Sequence, residues 1–217
     1  MRLFAKVVSY LFHPIFIPIV VLVIFFEAQT IPNSLKKYDA LCNFEWEYQR
    51  MYYFILGLLL FAAPLLSLGI MVWTRVVKSI EMVQREERRL PYLIISFYFG
   101  FAYYSLRTKF DPSLQHDAIM SFVFGILIVF LVSFIVNNYV KISLHAAAWF
   151  GSAATILAYF QSQIESPVWI VFVLILIGGI VGAARVYLKV HTRNEVLLGM
   201  FVGSVVMYVC VYNNLWI

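Results

Sequence analysis

The sequence predicts an all-α fold, a polytopic membrane helix bundle of about seven transmembrane helices. Three observations predict it. Hydrophobic residues make up 63% of the chain and charged residues only 12%, with a mean hydropathy of +0.88. A soluble domain carries about 25% charged residues, so lipid must cover the excess apolar surface. The apolar residues also fall in runs close to the length of helix that spans a hydrocarbon core, about 20 residues. Finally, the Lys and Arg residues gather in the segments between those runs. The length fits a single transmembrane domain over residues 1–217. Modest glycine and proline contents exclude collagen-like and disordered chains. Cys42 in a loop and Cys210 deep in an apolar run make no disulfide framework. A net charge of +5 in such a chain reports loop charges or anionic partners, and no nucleic acid is expected.

Seven spans are expected, at 7–26, 51–73, 90–106, 118–136, 144–160, 167–188 and 196–211. The first follows Arg2 and Lys6, as the apolar core of a signal peptide would. It is too long for one and lacks a small-residue cleavage site, so it reads as a helix. Pro14 and Pro18 loosen its start. The connections are short except for 27–50, a polar segment with Tyr38, Phe44, Trp46 and Tyr48 that reads as lying along one interface. No linker, low-complexity stretch or repeat is evident. Gly178, Gly179, Gly182, Ala183 and Ala184 suit close helix packing, as do Gly199 and Gly203.

Seven crossings sort the connections onto two sides. Side A carries eleven Lys and Arg: Arg2, Lys6, Arg75, Lys78, Arg85, Arg88, Arg89, Lys141, Arg185, Lys189 and Arg193. Side B carries five: Lys36, Lys37, Arg50, Arg107 and Lys109. Taken alone, that bias puts side A in the cytoplasm.

The costly polar residues collect at helix ends on side A. One group is Arg85-Glu86-Glu87-Arg88-Arg89-Leu90-Pro91, a second Lys141-Ile142-Ser143-Leu144-His145, and a third runs from Arg185 through His191 to Glu195. Guanidinium groups bind phosphate oxygens in a planar, bidentate way. A helix N-terminus adds backbone donors and a positive dipole end. Ser143 supplies a hydroxyl donor. Two histidines supply a nucleophile and a general acid. Glu195, one helical turn beyond His191, can hold a ring nitrogen, fix the tautomer and raise basicity. These are the parts needed to cleave a phosphate ester through a phosphohistidine, with no metal and no cofactor. His13 and His116 read as packing residues, and Lys189 and Arg193 as interfacial anchors.

Ala184-Arg185-(five residues)-His191-(three residues)-Glu195 resembles the third motif of the type 2 phosphatidic acid phosphatase (PAP2) superfamily, Ser-Arg-x5-His-x3-Asp. Ser143-Leu144-His145 resembles its second motif, Pro-Ser-Gly-His, and the residues between suit the two helices that separate these motifs in that family. The resemblance is clear over about residues 139–204, and the motif region is taken as about 78–204. It implies a divergent member, with a core of six helices plus variation. It also implies that His191 is the nucleophile, Glu195 its orienting carboxylate, and His145 the donor to the leaving group. Arg185 and Ser143 would hold the phosphoryl oxygens. The family's first motif, Lys-x6-Arg-Pro, is not intact: Lys78-x6-Arg85 has the spacing without the proline, and Arg88 and Arg89 precede Pro91. Arg85 and Arg88 are expected to serve in its place, with Arg89 and Lys141 in reserve.

The function expected from the resemblance is hydrolysis of a lipid phosphate or lipid diphosphate, with membrane lipids as the other partners. The alternative is a catalytically inactive relative that binds lipid phosphate or acts as a subunit of a membrane complex. A transporter should show repeated halves, and a prenyltransferase needs aspartate-rich metal sites, whereas Asp111 and Asp117 are isolated on side B. The expected location is a bacterial inner membrane. If Arg85, Arg88, Arg89, Lys141 and Arg185 belong to a phosphate site, side A keeps six topology charges against five. Bacterial relatives then favour an extracytoplasmic site.

Overall fold

The computed structural model describes residues 1–33, 35, 39–79, 82, 84–112 and 115–216. Lys36, Lys37 and Tyr38 lie outside the described residues. The chain forms α1 (Arg2–Leu11), α2 (Ile17–Glu27), α3 (Trp46–Leu56), α4 (Ala63–Trp73), α5 (Arg89–Lys109), α6 (Asp117–Val136), α7 (Leu144–Phe160), α8 (Trp169–Tyr187) and α9 (Arg193–Tyr212). All seven expected spans are helical, which makes the protein an all-α polytopic bundle. Five spans are long and apolar enough to cross a membrane: Arg2–Glu27, Trp46–Trp73, α6, α8 and α9. Helix α7 is apolar but has only 17 residues. Helix α5 has 21 residues, but Tyr92, Tyr98, Tyr103 and Tyr104 and its terminal basic residues dilute its apolar character. Phe54, Phe97, Phe172, Leu176 and Phe201 are exposed on the outside of the bundle, as a lipid-facing surface requires.

Two spans are interrupted, each beside a proline. Trp46–Trp73 begins earlier than the apolar run and passes through a π-helical turn at Gly57–Ala62, just before Pro64. Proline has no N–H for the regular ladder, and the wide turn absorbs the mismatch. In the first span α1 gives way to a 3-10 turn at Pro14–Phe16 before α2. There His13 N–H donates to the Tyr10 carbonyl, and Phe16 N–H to the His13 carbonyl. The carbonyls of Ser9 and Phe12 are thereby released from the helix ladder. Both turn to α7: the Ser9 carbonyl accepts from His145 Nε2 at 3.2 Å, and that of Phe12 from Trp149 Nε1 at 2.9 Å.

The two sides inferred from parity are joined as separate networks. On side A, Arg85 donates to the Tyr139 carbonyl, Asn137 to that of Arg85, and Lys141 to that of Val190. On side B, the Tyr159 hydroxyl accepts from Leu41 N–H, His116 Nε2 donates to the Asp39 carbonyl, and Asn214 donates to Asp117. A short antiparallel pair, Ile31–Pro32 with Gln163–Glu165, adds a sheet that the sequence does not announce. Within the 27–50 segment, half-buried Phe44 packs on Phe26, Tyr52 and His116. His116 has the packing role expected of it. It caps α6, and burial pushes its pKa down to about 4.

Helix α9 packs most extensively on α7. A Cβ at Gly199 would strike the Ser143 carbonyl, and one at Gly203 the Ala147 carbonyl. Without a hydrophobic drive between helices in lipid, such small residues set how closely backbones approach. Gly179, by contrast, has open space around its Cβ position. Gly203→Ala should therefore destabilise the protein by about 2 kcal/mol, the cost of overpacking. Gly179→Ala should change little. Thermal unfolding in detergent measures both, and equal effects would refute this account of the α7–α9 contact.

Candidate active site

The site is made where three helix ends meet. Thr192 begins α9 with a capping box: its hydroxyl accepts from Glu195 N–H at 3.3 Å, and the Glu195 carboxylate accepts from Thr192 N–H at 3.4 Å. Helix α8 ends in a reversal through Lys189, whose φ of 57° places it in the left-handed region. Val190 and His191 then donate their N–H groups to the Arg185 carbonyl at 3.1 and 3.3 Å. This turn folds His191 back over Arg185. The Ser143 hydroxyl caps α7, while its N–H donates to the Glu195 carbonyl at 3.2 Å. The beginnings of α7 and α9 are thus bonded directly.

His191 Nδ1 lies 2.7 Å from Glu195 Oε2. The carboxylate accepts the Nδ1 hydrogen, so the neutral ring carries its lone pair on Nε2. The same oxygen accepts from Thr192 N–H, so the longer glutamate serves the ring and the helix start together. Burial, followed by the charges of Arg88, Lys141 and Arg185, pushes the His191 pKa down to about 2. A cationic pocket therefore surrounds an imidazole held neutral, which is the state a nitrogen nucleophile needs. Burial also lowers the pKa of Arg88 and of Lys141, with the nearby Glu195 opposing the shift in both.

Arg88, Arg185, His145 and His191 are all buried and line one cavity. Its empty volume is about 1140 Å³, open mouth included. Away from those four residues the lining is almost wholly apolar, including Leu60, Leu68, Phe99, Phe122, Val129 and Phe130. The remaining expected site residues stand back from it. The Ser143 oxygen accepts the cap bond of α7, and Lys141 Nζ donates to the Val190 carbonyl at 2.6 Å. Arg85 is half-buried against Glu86 and the Tyr139 carbonyl, and Arg89 is exposed. The 3-10 turn Glu86–Arg88 accounts for the difference, because it turns only Arg88 inward. There Arg88 bridges the Met82 and Ile142 carbonyls at 2.9 Å each, beside Tyr92. Lys78 is exposed and paired with Glu87. Among the described residues, no group of three or more His, Cys, Asp and Glu stands in an arrangement that could hold a metal ion.

His13 is the cavity-lining residue that sequence reasoning assigned to packing. Its ring lies 5.1 Å from that of His145, at 83°. The available signal was His-Pro at a predicted break, on the same side as the three charged clusters.

Residues 133–216 match the model of the PAP2 superfamily. The match covers both motifs read from the sequence and is consistent with membership of that superfamily, a family of the phosphatase type. No curated protein and no solved structure matches the chain.

The state of His191 is testable. Ring 15N resonances should report the neutral Nδ1–H tautomer unchanged from about pH 8 to about pH 5. A titration centred on the ordinary value of 6.5 would refute the geometry. The stability sign follows from a folded pKa depressed below the unfolded one. Burial of the neutral ring stabilises fully above 6.5, and the benefit is lost as pH falls from 6.5 towards 2. The slope is about 1.4 kcal/mol per pH unit for one such group. Unfolding in detergent across that window should show a shallower slope for His191→Asn.

Proposed function

We propose that the protein hydrolyses the phosphate ester of a membrane lipid, a lipid phosphate or lipid diphosphate, through a phosphohistidine on His191. The observation that carries this reading is the cavity itself. Its charged end holds Arg88, Arg185, His145 and His191, and apart from His13 and Ser152 the rest is lined by aliphatic and aromatic side chains. That is the shape of an anionic head group joined to a hydrocarbon tail. The match of residues 133–216 to the PAP2 superfamily supports the phosphatase chemistry.

In the proposed reaction, Arg185 and Arg88 hold the non-bridging phosphoryl oxygens and stabilise the charge that spreads over them. The Nε2 lone pair of His191 attacks phosphorus, and the bond from phosphorus to the lipid oxygen breaks. Glu195 stabilises the positive ring that results. His145, protonated beside the negative substrate, gives its proton to the leaving oxygen. Water then attacks the phosphohistidine, returns a proton to His145 and releases inorganic phosphate. Ser143 would add a hydrogen bond to the phosphate, and its backbone bond to Glu195 supports a role in holding α7 against α9. Arg85, Arg89 and Lys141 supply positive potential near the mouth. A bacterial inner membrane with side A outward fits this reading, because removing the site charges leaves little topological bias.

One observation favours a second reading, a protein that binds lipid phosphate without turning it over. Arg88 and Lys141 already donate to backbone carbonyls, and the first motif is broken.

A metal-free assay in chelator, with a panel of lipid phosphates, separates the two. Wild type should release phosphate, His191→Ala should lose at least about 1000-fold in rate, and denatured protein trapped during turnover should carry acid-labile phosphate. Tight binding with no release from any substrate establishes the second reading. Glu195→Asp should fall about 10-fold or more, because the shorter carboxylate cannot both cap α9 and hold His191.

A further inference from the structure

His13 is the histidine in the cavity to which the proposed reaction gives no part. It sits in the break between α1 and α2 and lines the cavity together with His145, Arg185 and His191. Ile15 N–H donates to His13 Nδ1 at 3.3 Å. With Nδ1 accepting, the neutral ring carries its hydrogen on Nε2. That backbone bond is the ring's only hydrogen bond among the described residues. The chain after His13 continues along the cavity with Pro14, Ile15, Ile17 and Pro18, which bring no polar side-chain atom. His13 therefore stands where the charged end of the cavity gives way to its apolar length. The neighbouring His145 has its Nε2 hydrogen committed to the Ser9 carbonyl.

A lipid phosphate crosses that same boundary at one atom, the ester oxygen between phosphorus and the tail. In-line displacement places this leaving oxygen on the far side of phosphorus from the attacking nitrogen, and negative charge builds there as the bond breaks. We propose that His13 is a further substrate-contacting residue, whose Nε2–H donates a hydrogen bond to the ester oxygen of the lipid phosphate. The contact strengthens in the transition state, so it acts on kcat more than on KM. No proton leaves His13; the leaving oxygen takes its proton from His145. The assignment builds on the lipid-phosphate reading above.

Two substitutions distinguish this contact from a purely structural cap. In His13→Asn the side-chain oxygen keeps the acceptor for Ile15 N–H, but no donor reaches the Nε2 position. In His13→Gln the amide nitrogen reaches that position, and the cap is disturbed. With the full-length protein in detergent and dodecyl phosphate as substrate, His13→Asn should keep the wild-type unfolding temperature and KM and lose about 100-fold in kcat. His13→Gln should recover most of that loss. The reverse order, with His13→Asn like wild type and His13→Gln impaired, overturns the contact and leaves the phosphatase reading intact. A second measurement does not need turnover: in His191→Ala, dodecyl phosphate should shift the His13 Nε2–H resonance downfield. No shift overturns the proposal. If wild type releases no phosphate while that shift is present, the reaction assigned to His191 fails and the His13 contact stands.

Discussion

The close approach of α9 to α7 is the constraint on which the site depends. Gly199 and Gly203 let two backbones meet where any larger residue would hold them apart. At the end of that seam the Ser143 N–H reaches the Glu195 carbonyl, one helix start bonded to another. His145 follows on α7, and His191 lies just before α9. Dispersion and small-residue packing replace the hydrophobic effect as the force between helices in lipid. Here they also determine where His145 and His191 sit.

The second constraint is electrostatic. Four polar groups, Arg88, Arg185, His145 and His191, are buried. Buried charge is costly unless it is satisfied. The protein meets that cost with backbone carbonyls rather than with a full set of carboxylates. Met82 and Ile142 serve Arg88, and Val190 serves Lys141. A carbonyl holds a cation without cancelling its charge, so the pocket keeps its positive potential and His191 stays neutral within it. Glu195 is the carboxylate that reaches His191, and it is bound to the ring and the helix start. The cations of the pocket are therefore positioned yet not neutralised.

Much of this was legible in the sequence, because lipid imposes simple rules on composition. Long apolar runs forced the helices, and parity placed the three charged clusters together before any contact was known. The spacing from Arg185 to His191 to Glu195 anticipated the bond between ring and carboxylate. What escaped was set by backbone geometry. Arg85, Arg88 and Arg89 are equivalent as letters, and only the 3-10 turn selects Arg88 for the cavity. Ser143 carries a hydroxyl that suits phosphate, and its oxygen also caps α7. His13 was set aside because a single histidine in an apolar run usually packs. The break at Pro14 changes its surroundings, and spacing alone does not show which way a broken helix turns.

That break also bears on how much of the chain makes the site. The match to the superfamily spans residues 133–216, which include His145, Arg185, His191 and Glu195. Taken alone, this segment would leave the Nε2 hydrogen of His145 and the indole N–H of Trp149 without the carbonyls that hold them. Those carbonyls belong to Ser9 and Phe12, and they are available because the first helix is interrupted before Pro14. Most of the apolar cavity wall likewise comes from α2, α5, α6 and the π-helical turn before α4. The C-terminal part of the chain therefore contributes His145, Arg185, His191 and Glu195, and the N-terminal part contributes Arg88, His13, the carbonyls that hold His145 and Trp149, and most of the apolar wall. The family match is thus confined to one end of the chain, while the cavity draws on both.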